Sequence, residues 1–145
     1  MRVSTRGRYA LRMLLDLAEN QGDGFVALKD VAARQEVSKK YLEQIIPNLN
    51  RSGLLQTSRG FQGGYRLARD PAQCRVGDIL RATEGDLAPV PCLEQRPNTC
   101  TRSADCATLF LWEGLEKAMN DYLDSVTLRD ILDRRQSSAG NNYVI

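Results

Sequence analysis

The order of elements between residues 28 and 67 restricts this chain more than any other feature. Leu28, Val31 and Ala32 mark a short helix by their spacing, Gln35-Glu36-Val37 makes a tight connector, and Ser38 is placed to N-cap another helix. In that helix Leu42, Ile45, Ile46 and Leu49 fall on one face, leaving Lys39, Lys40, Glu43, Gln44, Asn48 and Arg51 on the other. Pro47 lies inside it, where a missing donor and a crowded Glu43 carbonyl cost about 3 kcal/mol in a regular interior, so a kink or break is expected. Gly53 closes the helix. Residues 55–59 alternate like a strand, Gly60-Phe61-Gln62-Gly63-Gly64 supplies a turn, and 65–67 return. Two helices across a short connector, then a glycine-tipped hairpin, outline a winged helix-turn-helix in a mainly α fold.

The flanks read as helices. Tyr9, Ala10, Met13, Leu14, Leu17 and Ala18 give a helical face over 9–21, ended by Gly22-Asp23-Gly24. Val76, Ile79, Leu80 and Thr83 mark a short helix ending at Gly85. In a longer helix over 107–125, roughly 28 Å in length, Trp112, Leu115, Met119, Tyr122 and Val126 step by 3, 4, 3 and 4, the seam spacing of a coiled coil. A helix packed on its own domain would also give this pattern. A dimer interface is favoured, because so small a DNA reader usually needs two half-sites. The expected organisation is a DNA-binding domain at 1–70, a helical region at 71–135 carrying a cysteine loop (92–106), and a flexible tail at 136–145.

Charge supports a nucleic-acid partner. Residues 1–70 hold 12 basic and 7 acidic side chains, whereas 71–145 hold 8 and 11, so positive charge collects in the N-terminal half. Lys39, Lys40, Tyr41 and Gln44 start the candidate reading helix, where lysine and glutamine can meet guanine and adenine edges. Arg59 and Gln62 on the hairpin can reach the minor groove or backbone, and Arg2 and Ser4 can anchor phosphates. Met1 to Arg12 contains four arginines and no apolar stretch, and no run approaches the roughly 20 apolar residues of a membrane helix, so a cytoplasmic protein is expected.

Cys92, Cys100 and Cys106 stand in a polar stretch with Pro91, Glu94, Arg96, Asn98, Thr101 and Asp105. Thiolates gathered on such a loop suit a soft metal or a redox reaction better than packing. An iron–sulfur centre, zinc and a metal-free thiol switch all remain open on these residues alone. Cys74, isolated between Gln73 and Arg75, reads as a packing residue.

Arg-Val-Ser-Thr-Arg-Gly-Arg-Tyr-Ala-Leu over 2–11, Tyr41-Leu42-Glu43-Gln44, and Arg59-Gly60 with Gly63-Gly64-Tyr65 resemble the Rrf2 family of bacterial regulators, over about 1–133. The resemblance implies a homodimeric winged-helix transcription factor with a long dimerisation helix, its cysteine loop near the partner's DNA-binding domain. It also implies an iron–sulfur cluster, of the 2Fe-2S kind, on Cys92, Cys100 and Cys106, and a part for Glu43 in operator choice. The chain departs from the family's fourth ligands. Leu109 stands where the IscR-like branch has histidine, no histidine occurs anywhere, and Arg8 stands where the NsrR-like branch has aspartate. Glu94, Asp105, Glu84, Cys74 or an external thiol remain for that role.

The expected function is therefore sequence-specific binding of double-stranded operator DNA, as a repressor that senses iron–sulfur, redox or nitrosative status. The other reading is a cluster-free regulator of cysteine metabolism. CymR-like members end in an aromatic–aliphatic–isoleucine tip and bind cysteine synthase; this chain ends Tyr143-Val144-Ile145, and the resemblance makes the Ile145 carboxylate the expected binding element. An enzyme is not expected: the chain offers no histidine, no catalytic-base constellation and no cofactor loop.

Overall fold

The computed structural model describes residues 1–141. Its elements are α1 (Thr5–Asn20), α2 (Leu28–Gln35), α3 (Lys39–Arg51), β1 (Leu55–Ser58), β2 (Gly64–Leu67), α4 (Val76–Glu84), α5 (Leu109–Ser125) and α6 (Leu128–Asn141). The Ile145 assignment lies outside the described residues. No helix among them is long and apolar enough to cross a membrane.

The first three helices and the hairpin enclose one core. Ala10, Met13, Leu14 and Leu17 of α1 meet Val31 of α2 and Leu42, Ile45 and Leu49 of α3, all essentially shut off from water. Ser38 caps α3 by accepting from the Tyr41 N–H at 3.1 Å. Glu36, in the left-handed region at φ 54°, turns the chain from α2 towards α3. The break expected at Pro47 does not occur, and α3 runs unbroken from Lys39 to Arg51. Ile46 and Leu49, buried on either side of the proline, hold the last turn by packing.

β1 and β2 pair antiparallel from Leu55↔Leu67 to Ser58↔Gly64. The hairpin is stapled to the segment before α2, since Val26 and Tyr65 exchange backbone hydrogen bonds of 2.8 and 2.9 Å. A Cβ on Gly64 would strike the Val26 carbonyl, so only glycine allows this approach. Between α1 and α2, the buried Asp16 carboxylate accepts from Arg34 Nη2 at 2.7 Å, Arg34 Nε at 3.0 Å and Gln35 Nε2 at 2.9 Å.

A second cluster of Val76, Leu80 and Leu87 collects Val3, Leu11, Leu123, Val126 and Ile131 around it. Val126, expected on a dimer seam, is thus committed to this chain's own packing. Backbone pairing of the Cys74–Val76 and Val126–Leu128 segments closes the C-terminal helices onto the head. Thr127 and Asp130 cap α6 reciprocally, Thr127 N–H donating to Asp130 at 2.9 Å and Asp130 N–H to the Thr127 hydroxyl at 3.2 Å. α6 continues through 136–141, residues that the sequence reading gave to the tail. Leu128 and Leu132 anchor the helix in the interior, and Arg135 ties it to Glu19 of α1 at 2.8 Å. Its last turns are polar because they face solvent.

Candidate nucleic-acid interface and cysteine loop

The reading helix keeps its inner and outer faces apart. Leu42, Ile45, Ile46 and Leu49 are buried, whereas Lys39, Lys40, Glu43 and Gln44 are exposed over the first two turns. Lys39 and Glu43 form a loose pair at 3.9 Å, worth a few tenths of a kcal/mol at such a surface site. Tyr41 is half-buried instead. Its ring stands edge-on to Tyr9 at 5.5 Å, and Arg12 covers Tyr9 at 5.0 Å, so Tyr41 fixes α3 against α1. Arg59 and Gln62 are exposed on the wing, and Arg2 is exposed ahead of α1.

Ser4, expected to anchor phosphate, has its hydroxyl engaged within the chain. Helix α1 begins with unpaired N–H groups that need acceptors, and the Ser4 hydroxyl caps it by accepting from Gly7 N–H at 3.3 Å. The same hydroxyl donates to Glu84 of α4. Glu84 Oε1 also accepts from Ser4 N–H at 3.1 Å and Gly7 N–H at 3.2 Å. A Cβ on Gly7 would collide with that oxygen, which explains a glycine in the first turn of this helix. Glu84 is therefore occupied as the acceptor for α1 and is not a free metal ligand.

The cysteines divide by environment. Cys74 lies in the main core, and burial pushes its thiol above the ordinary value. This matches a packing role and removes it from the candidate ligands. Cys92 is half-buried in a short turn over Pro91–Leu93, held down by buried Leu93, whereas Cys100 and Cys106 are exposed. The Thr108 hydroxyl, 3.6 Å from Cys106 Sγ, holds that thiol below the usual value, with help from the Thr108 backbone. Iodoacetamide should therefore label Cys106 readily in the folded protein, and Cys74 only on unfolding. Peptide mapping of a timed alkylation reads this order, and equal rates at Cys74 and Cys106 would contradict these placements.

The loop's donors fit a soft metal by chemistry: three free thiols on one solvent-facing segment, one of them acidified. Among the described residues no three Cys, His, Asp or Glu side chains converge on a common point, so the loop must fold inward to bring its thiols together.

A polar path that sequence reasoning missed leads from this loop to the head. Arg96, between Cys92 and Cys100, donates to Glu116 of α5 at 2.7 Å, and Glu116 is only 8% exposed. The Asn120 side-chain amide donates to the Glu116 carbonyl at 2.9 Å. Asn120 Oδ1 in turn accepts from Arg81 of α4 at 2.8 Å, and Arg81 grips both Asp124 oxygens at 2.9 Å. A Cβ on Gly77 would collide with Asp124, so the small residue admits α5 to this grip. Arg81 and Glu84 share α4, and Glu84 holds the start of α1. The available signals were Gly7 and Gly77, each inside a helix where glycine is otherwise unfavourable.

A helix-turn-helix with a bare polar reading face, followed within three residues by a two-stranded wing, is the architecture of winged-helix transcriptional regulators. Comparison with known proteins makes the class specific. The chain belongs to the Rrf2 family, described as iron-dependent transcriptional regulators, whose model matches residues 3–134. It is 42% identical over 132 residues to the protein rrf2 of Nitratidesulfovibrio vulgaris, covering 91% of this chain and 87% of that one. The fold superposes on CymR, the global cysteine regulator of Bacillus subtilis, with a TM-score of 0.75 and 34% identity over 92% of this chain and 98% of that one. It matches IscR of T. potens equally well, at a TM-score of 0.75 with 39% identity over 95% and 90% of the two chains. These relatives are regulators, not enzymes.

Proposed function

We propose that the chain is a homodimeric repressor that reads a two-fold operator with α3 and the wing, and that reports iron–sulfur or redox status through Cys92, Cys100 and Cys106. The observation that carries the DNA half is the bare first face of α3, with Lys39, Lys40, Glu43 and Gln44 exposed over a buried apolar face. Gln44 and the lysines face base edges, and Glu43 excludes sites that would put a phosphate against it. Arg59, Gln62 and Arg2 bind the backbone on either side.

Cys92, Cys100 and Cys106 would hold the cluster, with Glu94 or Asp105 on the same loop available as an oxygen ligand. When bound, such a cluster supplies sensitivity to oxidants, nitric oxide and iron supply. The chain's own residues carry the consequence. Drawing the thiols together moves Arg96, which lies between two of them, and this takes from Glu116 its paired charge. A buried carboxylate without a partner is unfavourable, so α5 shifts, and the Asn120–Arg81 contacts pass the shift to α4. Through Glu84 the shift reaches α1. Coupling of about 1–3 kcal/mol is enough for a regulator.

Anaerobic purification tests the sensing half and operator titration the DNA half. The expected protein is coloured, with stoichiometric iron and sulfide that vanish when the three cysteines become alanine. Operator affinity is expected to fall steeply with salt and to differ between the two forms. A colourless wild-type protein that still binds its operator would favour the cluster-free reading, in which the protein resembles CymR more than IscR. Absence of any salt-dependent DNA binding would overturn the proposal entirely.

A further inference from the structure

We infer that Phe61, at the tip of the wing, is a wedge that enters the minor groove and partly unstacks one base step of the operator. The inference rests on the DNA reading above and adds a residue to it that charge alone does not suggest. Phe61 is 105% exposed, as open to water as in an isolated extended chain. The contrast with Phe25, on the segment before α2 that lies alongside the hairpin, is direct: the Arg66 guanidinium covers the Phe25 ring at 4.8 Å. Among the described residues nothing covers Phe61.

The tip that carries it is constrained. Gly60 sits at φ +105°, and the Gly63 N–H closes the turn on the Gly60 carbonyl at 3.0 Å. A Cβ on Gly63 would lie 2.9 Å from that carbonyl oxygen, so the turn closes too tightly for a side chain there. Behind it, the Val26–Tyr65 pairing fixes the strand to the body of the head. The fold thus presents a large apolar ring on a rigid two-stranded support, flanked by exposed Arg59 and Gln62.

This combination matches DNA better than a protein surface. An arginine beside the ring suits the strong negative potential of a narrow minor groove, and phenylalanine is among the residues that pry base steps apart there and kink the duplex. The easiest steps to open are TA and CA/TG, so the wing should favour an operator with such a step at its contact point. Specificity then arises where no hydrogen bond to a base edge is made.

The test uses the full chain and a duplex selected from a random pool by the wild-type protein. Bending is read by end-labelled energy transfer, and unstacking by 2-aminopurine placed at each step under the wing. Phe61→Ala is expected to weaken binding about tenfold and to abolish both the bend and the 2-aminopurine signal. The slope of log affinity against log salt should not change, because no phosphate contact is lost. Phe61→Trp should restore bend and signal, whereas Arg59→Ala should reduce the salt slope by about one phosphate contact. Circular dichroism of Phe61→Ala should match wild type, since the ring packs on nothing. If Phe61→Ala binds and bends the duplex like wild type, the wedge is overturned and the DNA reading stands. If wild type selects no duplex at all, both fall together.

Discussion

Arg34→Ala is expected to lower the unfolding free energy by about 3 kcal/mol, near the lower end of what breaking a buried ion pair costs. The reason lies in which partner is left behind. The Asp16 side chain is 2% exposed, whereas Arg34 is 40% exposed and partly hydrated already. Removing the guanidinium takes two donors from a carboxylate that water cannot easily reach, leaving Gln35 Nε2 at 2.9 Å. That remaining donor and local relaxation hold the loss to the lower part of the range. For a chain of this size the loss corresponds to a fall in Tm of roughly 10 °C. Arg34→Lys should recover only part of it, because an ammonium cannot make the two-pronged contact. The sign of the pH dependence follows from the same bond. Asp16 holds the guanidinium above its ordinary value, so on the alkaline side the pair persists at every pH up to and beyond that value. Thermal unfolding of the two variants at neutral pH is the measurement. A loss below about 1 kcal/mol in Arg34→Ala would mean that solvent replaces the pair.

The contrast between this pair and the reading head indicates what a single sequence can reveal. Ser38, the apolar spacing of α3 and the glycines of the wing are local signals, and each corresponds to the element it announced. Asp16 and Arg34 are 18 positions apart on different helices, and nothing in one sequence pairs them. Pro47 does not break α3, because packing of Ile46 and Leu49 outweighs a local penalty. Ser4 and Glu84 were assigned separately, one to phosphate and one to metal, although 80 residues of chain return them to a single hydrogen-bonded cap. α6 was cut short because Ser137, Asn141 and their neighbours read as a tail, while its anchors Leu128 and Leu132 lie at its beginning. Local periodicity was legible; contacts made by returning chain were not. The cysteine loop falls between the two cases, its donors evident in the sequence and their gathering dependent on a change in the loop.

Leu115→Asp is expected to convert the proposed dimer into a folded monomer and to weaken operator binding by two to four orders of magnitude, the range over which linked half-sites reinforce each other. Helix α5 turns its polar side inwards: Glu116, Asn120 and Asp124 face Arg96 and Arg81. Its outward side carries Phe110, Leu111, Leu115 and Tyr122, the last two 41% and 68% exposed. Leu111, Leu115, Ala118 and Tyr122 step by 4, 3 and 4, so they form one stripe on an α-helix. Trp112 and Met119, also expected on the seam, are half-buried at its flank. An apolar stripe over a polar inner face is the reverse of a helix that closes its own domain, and in the proposed dimer a second copy of the same stripe would cover it through a two-fold axis. A carboxylate at its centre would be buried opposite its symmetry mate, with like charges and no donors, and the pairing would fail. The head should fold normally in this variant, because Leu115 contributes to neither core cluster. Light scattering and operator titration on the same samples separate the outcomes. If Leu115→Asp remains dimeric at micromolar concentration, the two-fold contact lies elsewhere; if it is monomeric yet binds the operator as tightly as wild type, a two-fold site is not what α3 reads.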